Sequence, residues 1–189
     1  MKKLLFIAAL FTGFASFSQT DEKTPESKLI CKNIDEFTDK VTLSNTGLAL
    51  AYEDGGDMSS EGLLAMLFLS EGKNGTIEPS TLYIKVLGIE GCVDTGSTLD
   101  VIFENGEKTR LTNWKKFDCD GKNYFKLSKK NIDLFKTSKV KAVKYTNSRN
   151  YDTMVIKENI GEMNSYLMDI LLEIDKVNNK EIRLTNCVK

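Results

Sequence analysis

Few residues in this 189-residue chain are of a type and spacing suited to chemistry. They are one acidic pentapeptide, four cysteines and two acidic loops that contain glycine. Val93-Asp94-Thr95-Gly96-Ser97 offers a carboxylate beside two hydroxyls. Such a carboxylate serves as a general acid or base when a second carboxylate stands close enough to share one proton with it. Cys31, Cys92, Cys119 and Cys187 have the chemistry of nucleophiles, metal ligands or disulfide partners. The chain has no histidine, which removes Ser-His-Asp and Cys-His machinery, imidazole proton shuttles and every His-containing zinc site. No Cys-x-x-Cys pair is present, so a structural zinc site is not expected either. Glu53-Asp54-Gly55-Gly56-Asp57 and Asp118-Cys119-Asp120-Gly121-Lys122-Asn123 gather oxygen atoms around glycine. Neither has the long loop and terminal glutamate of an EF-hand, and Asp and Gly are also what tight turns use. No glycine-rich loop follows a strand and opens a helix to cradle phosphate. The reading implies no metal and no cofactor.

The pentapeptide resembles the catalytic signature of the pepsin and retropepsin aspartic proteases, an apolar residue followed by Asp-Thr-Gly-Ser. That resemblance implies two facing aspartates that share a proton and activate water. With a single copy per chain it implies a homodimer, in which Asp94 is the catalytic residue of each subunit while Thr95 and Gly96 hold the two loops together. The family's apolar-apolar-Gly element has no counterpart after Gly96; Val86-Leu87-Gly88 has that form but precedes the motif. Read locally, Asp94-Thr95-Gly96-Ser97 is a chain reversal between two strands, pinned by the neighbouring Cys92.

Lys+Arg number 26 and Asp+Glu 27, and 41% of residues are hydrophobic. Near-neutral charge argues against a nucleic-acid partner, and the apolar content argues against long disorder. Trp114-Lys115-Lys116-Phe117 mixes rings with lysines; the expectation is a strand whose rings pack inward while the lysines stay solvated. Lys129, Lys130, Lys139, Lys141 and Lys144 read as a solvated sheet edge, where lysine also discourages edge-to-edge association.

Residues 1–18 have the pattern of an export signal: Lys2 and Lys3, an apolar run, then Ser16 and Ser18 before Gln19. The run is too short for a permanent membrane span, which takes ~20 apolar residues. The expectation is a protein exported to the periplasm or beyond, with no integral membrane segment once the signal is removed. In that compartment four cysteines form disulfides by default. Asn105-Gly106 between two apolar-rich runs is a hairpin signal. A two-residue turn there brings Cys92 into register with Cys119, and a bulge at Gly106 would shift that register by one. The expected pairs are Cys92–Cys119 and Cys31–Cys187.

Positioning these groups requires a scaffold. Residues 19–28, with Pro25, read as a flexible leader, and 29–189 as a single domain. Short apolar runs bracketed by turn residues recur at 41–44, 47–52, 81–87 (after Pro79), 99–103, 108–111, 124–127, 140–145 and 151–156. Residues 63–69 are ambiguous between helix and strand, with strand favoured by length and glycine flanks. A helical turn is expected near 131–135. From 162 to 177, Met163, Tyr166, Leu167, Ile170, Leu171, Ile174 and Val177 form one helical stripe. The fold expected is α+β: a mostly antiparallel, meander-like sheet of about seven short strands, covered by one C-terminal amphipathic helix and stapled by disulfides. The function expected is that of an exported, non-catalytic binding or structural domain whose ligand is unknown. A homodimeric aspartic protease and an accessory subunit of an envelope complex are the alternatives, the latter marked by an exposed apolar patch and a protein partner.

Overall fold

Short apolar runs with period two become strands, and the way those strands close determines where every candidate group lies. The structure, a computed structural model, describes residues 24–38, 40–45, 47–53, 61–88 and 92–187. The expected export signal, residues 19–23 of the expected leader and residues 54–57 of the first acidic loop lie outside the described residues.

The strands are β1 (Glu26–Ile34), β2 (Val41–Asn45), β3 (Ala49–Glu53), β4 (Glu61–Glu71), β5 (Ile77–Leu87), β6 (Thr98–Phe103), β7 (Lys108–Thr112), β8 (Lys122–Lys126), β9 (Val140–Thr146), β10 (Thr153–Ile156) and β11 (Arg183–Asn186). Helices α1 (Lys129–Thr137) and α2 (Gly161–Asn178) complete the set. The described residues thus hold more strands than the seven expected, arranged in three sheets ordered β11-β1-β2, β10-β9-β6-β7 and β3-β4-β5-β8. Pairing is antiparallel except between β1 and β11, which run parallel. The ambiguous 63–69 segment is the centre of β4, buried at Leu63, Ala65 and Leu67 on one face.

The two four-stranded sheets meet at both edges. At one edge Asn113 bridges to Phe125 and the Trp114 N–H donates to the Tyr124 carbonyl. At the other, β3 lies against β10, and the Glu53 carboxylate accepts from the amides of Lys157 and Glu158. Eight strands therefore wrap into a barrel-like sandwich, whose inner faces share one core that includes Leu63, Ile84, Leu99, Phe103, Phe125 and Tyr145.

Because the sheets already cover one another, α2 is not laid across a sheet face as expected. It plugs the barrel end at which β5 and β9 begin, burying Met163, Leu167, Ile170, Leu171 and Ile174. Two asparagines act there as surrogate peptide groups. Asn164 exchanges two hydrogen bonds with the backbone of Val140 (2.7 and 3.0 Å), and Asn178 two with Ile77 (2.7 and 2.9 Å). The β11-β1-β2 sheet then lies against α2, where the Glu173 carboxylate accepts from the Ser27 hydroxyl and the amides of Lys28 and Leu29. So β1 begins at Glu26, inside the stretch expected to be loose. The helical turn expected near 131–135 is the longer α1, opened by a capping box between Ser128 and Asn131.

Two registers also differ from expectation. Pro79 lies inside β5, not ahead of it, because a bulge opposite Phe68 and Leu69 accommodates a residue without an N–H. At the Asn105-Gly106 turn Leu99 pairs with Leu111, whereas a two-residue turn would set it opposite Thr112. Phe103 and Glu107 close a three-residue loop with Gly106 at φ +84°, the geometry of a glycine bulge.

Candidate functional site

The loops at the barrel end opposite α2 carry most of the residues singled out from sequence. Cys92 is bonded to Cys119, and Cys31 to Cys187. The first pair is brought together by two irregularities that cancel. The bulge at Gly106 shifts the hairpin register by one, and one extra residue between Asn113 and Asp118 restores it, so Val93 bridges Asp118 beside the disulfide.

Asp94-Thr95-Gly96-Ser97 is a β-turn: the Ser97 N–H donates to the Asp94 carbonyl at 3.2 Å, and Gly96 takes φ +92° at the third position, where a side chain would be strained. The Asp94 Oδ1 accepts from the amides of Thr95 (2.7 Å) and Phe117 (3.1 Å), tying its own turn to the facing loop. Thr95 donates through its hydroxyl to the Lys115 carbonyl. Ser97 is fully buried, with its Oγ 3.2 Å from Ser148 Oγ and accepting from the Ser148 amide. Buried Asn113 holds the arrangement together: Nδ2 donates to the carbonyls of Asp94 and Lys115, and Oδ1 accepts from the amides of Lys115 and Tyr124. Asn147 adds a bond to the Cys92 carbonyl. Tyr145 lies beneath with its hydroxyl 3.4 Å from Asn123 Oδ1. Burial raises its proton affinity, against the pull of Ser97 and Asn123.

The second acidic loop is engaged in the same way. Asp118 Oδ1 accepts from the amides of Asp120 and Lys122, and Asp120 pairs with Lys122 at 2.6 Å. The hydrogen bond and charge of Lys122 hold the Asp120 carboxyl below its ordinary range. Glu53, the described residue of the first acidic loop, is likewise held low by the two amides it accepts.

Trp114-Lys115-Lys116-Phe117 departs from expectation, because its rings do not pack inward. Trp114 is 57% exposed and Phe117 52%. The barrel interior at this edge is already filled by Phe125 and Leu111, so the loop turns outward. Trp114 instead joins the outer face of the β3-β4-β5-β8 sheet, where pairing sets Met66 beside Tyr83 and Tyr83 beside Tyr124. Ring centres lie 5.3 Å apart for Tyr83 and Tyr124, 6.1 Å for Phe68 and Tyr124, and 6.2 Å for Trp114 and Tyr124. Lys115 Nζ stands 4.1 Å from the centre of the Tyr124 ring, a cation–π contact. Burial raises the Tyr83 hydroxyl above its ordinary range, with the neighbouring Tyr124 adding to it. Beside this cluster Arg149 lies over the Phe117 ring, 4.7 Å from its centre.

Sequence reasoning did not assemble this aromatic cluster. Alternation in β5 already set Tyr83 and Lys85 against buried Leu82, Ile84 and Val86. Which rings join Tyr83 depends on the β4 and β8 registers, which no local signal specifies. No protein family model, characterised protein sequence or solved structure matches the chain. No helix among the described residues is long and apolar enough to cross a membrane.

Proposed function

We propose that this chain is an exported, non-catalytic binding domain that engages a protein partner through the aromatic outer face of the β3-β4-β5-β8 sheet, as an accessory subunit of an envelope complex does. The observation that carries the reading is the run of Phe68, Tyr83, Tyr124 and Trp114 on that face, with Phe68 40% exposed and Met66 and Leu64 half-buried around it. Interface cores are enriched in these residue types, and buried aromatic anchors dominate binding energy. The two disulfides support passage through an oxidising compartment. Support for a non-catalytic role comes from Asp94, whose carboxylate joins two loop segments through backbone amides, and from Ser97, which is buried.

A photo-crosslinking side chain placed at Phe68 or at Trp114, in cells that make the protein, should give the same discrete adduct. The same group at Thr153, on the opposite sheet, should not. Equal adducts from both faces, or none from Phe68 and Trp114, would overturn the reading. Peptide hydrolysis at acidic pH that disappears in Asp94→Asn would replace it with the protease.

A further inference from the structure

The outer face of the β10-β9-β6-β7 sheet has a different chemistry, laid out in rows that cross all four strands. Nearest the Asp94 end, Thr153, Thr146, Thr98 and Thr112 stand side by side. The next outward row is Val155, Lys144, Asp100 and Arg110. Beyond it come Ala142, Ile102 and Lys108, with Lys157 just past β10 and Lys141 displaced by a bulge. A shallow cavity of about 560 Å³ lies over these last two rows, floored by Ile102, Ala142 and Val155.

Charge on this face is segregated. Lys108, Arg110, Lys141, Lys144 and Lys157 are all exposed, in a chain whose cations and anions number 26 and 27. The carboxylate among them, Asp100, is already held by Arg110, with Nε and Nη2 at 2.5 and 3.0 Å from its two oxygens. Lys108, Lys141 and Lys144 form no ion pair with any described residue. Strands lie ~4.8 Å apart, so the cations on the two outer strands stand on the order of 14 Å from one another. A single carboxylate cannot reach both sides, and complementarity therefore calls for a ligand with several anionic groups along its length.

We propose that this face binds a linear acidic polysaccharide whose sugars carry carboxylates. Each element of the face has a use in such a complex. The lysines meet the carboxylates, and the threonine row offers hydroxyl donors and acceptors to sugar hydroxyls. The Ile102, Ala142 and Val155 floor takes the apolar C–H side of the sugar rings. A single-stranded nucleic acid would call for a row of rings on which successive bases stack. None of the residues in these rows is aromatic, and the one exposed ring of this sheet's loops among the described residues, Tyr151, lies beyond the threonine row between β9 and β10. The inference does not rest on the aromatic face.

Calorimetric titration of the full chain with polygalacturonate tests it. Binding is expected at low ionic strength and should weaken as salt is added. The double variant Lys108→Glu/Lys144→Glu should lower affinity by about tenfold or more with the far-ultraviolet circular dichroism unchanged, since both side chains are exposed. Thr98→Val with Thr146→Val should lower it by about threefold, the cost of lost hydroxyl contacts. Trp114→Ala should leave polygalacturonate binding unchanged while removing the crosslinked adduct described above, so the two surfaces fail separately. Absence of binding, equal binding of neutral dextran, or binding indifferent to Lys108→Glu/Lys144→Glu would overturn the proposal. Poly-glutamate binding as tightly as polygalacturonate would overturn it too, and would assign the face to acidic peptides.

Discussion

At one end of the barrel α2 buries five apolar side chains in a continuous stripe, whereas at the other Asp94, Ser97, Asn113, Asn147 and Ser148 join the loops by hydrogen bonds beside the Cys92–Cys119 disulfide. The apolar burial is itself non-directional, and the paired bonds of Asn164 and Asn178 fix the helix near its two ends. The polar closure is directional, and a partner removed from it leaves a buried group unsatisfied. Among the described residues every buried side-chain polar atom has its partner. The comparison explains why a protease-like motif stands at the polar end. A carboxylate, hydroxyls and a positive-φ glycine are what a reactive loop needs, and they are also what a water-poor loop junction needs to satisfy its amides.

The comparison can be tested by disrupting each end in turn and reading stability from urea unfolding. Replacing both Cys31 and Cys187 by serine should cost most. That link closes a separation of 156 residues and secures the sheet that covers α2; chain entropy alone assigns it about 5 kcal/mol. The Cys92/Cys119 double serine variant, with a separation of 27, should cost about 3.5 kcal/mol. A reversed order would show that the loop end carries more of the fold than its buried area suggests. Ile170→Ala, at the centre of the plug and fully buried, should cost about 3 kcal/mol. Asn113→Ala leaves the amide of Tyr124 without its acceptor, and should cost about 2 kcal/mol.

Asp94 gives a smaller and sharper readout. Asp94→Asn keeps an oxygen acceptor for the Thr95 and Phe117 amides and should cost well under ~1 kcal/mol, whereas Asp94→Ala removes it and should cost about 1 kcal/mol. Stability unchanged in both would indicate a residue placed for something other than the loop junction. The smallest effect is at the sheet edge. Glu53 is held below its ordinary value of 4.5 by the amides of Lys157 and Glu158. As pH falls the unfolded chain takes up this proton first, so the stabilisation is complete above that value and fades as pH drops through the folded one. Glu53→Gln should flatten the acid limb of the thermal midpoint against pH. An unchanged limb would show that this edge does not contribute to closing the barrel.

Much of the fold was readable because its signals are local. The stripe from Met163 to Val177 gave α2 by its spacing, short apolar runs between turn residues gave β5 and β9, and Asn105-Gly106 gave the β6-β7 hairpin. The strands β1 and β11 were not readable, since their segments show little alternation, and β11 acquires strand geometry only by pairing with β1 across most of the chain. The aromatic cluster was half readable. Tyr83 could be placed on an outward face, but its neighbours Phe68 and Tyr124 could not. The orientation of Trp114 was misread because inward packing assumed space in a core that Phe125 already fills.

By itself the sequence determined most of the strands, helix α2 and the exclusion of histidine chemistry, because each depends on composition or on neighbours a few residues away. The cysteine pairing followed from the hairpin signal, which leaves Cys31 and Cys187 for one another. Tertiary structure alone decided that the sheets close on one another, that α2 fills an end instead of covering a face, that rings cluster on one outer face, and that a row of threonines stands beside lysines on the other. Those outcomes depend on register between strands distant in the chain, and register is settled by the packing of the whole core, not by any one segment.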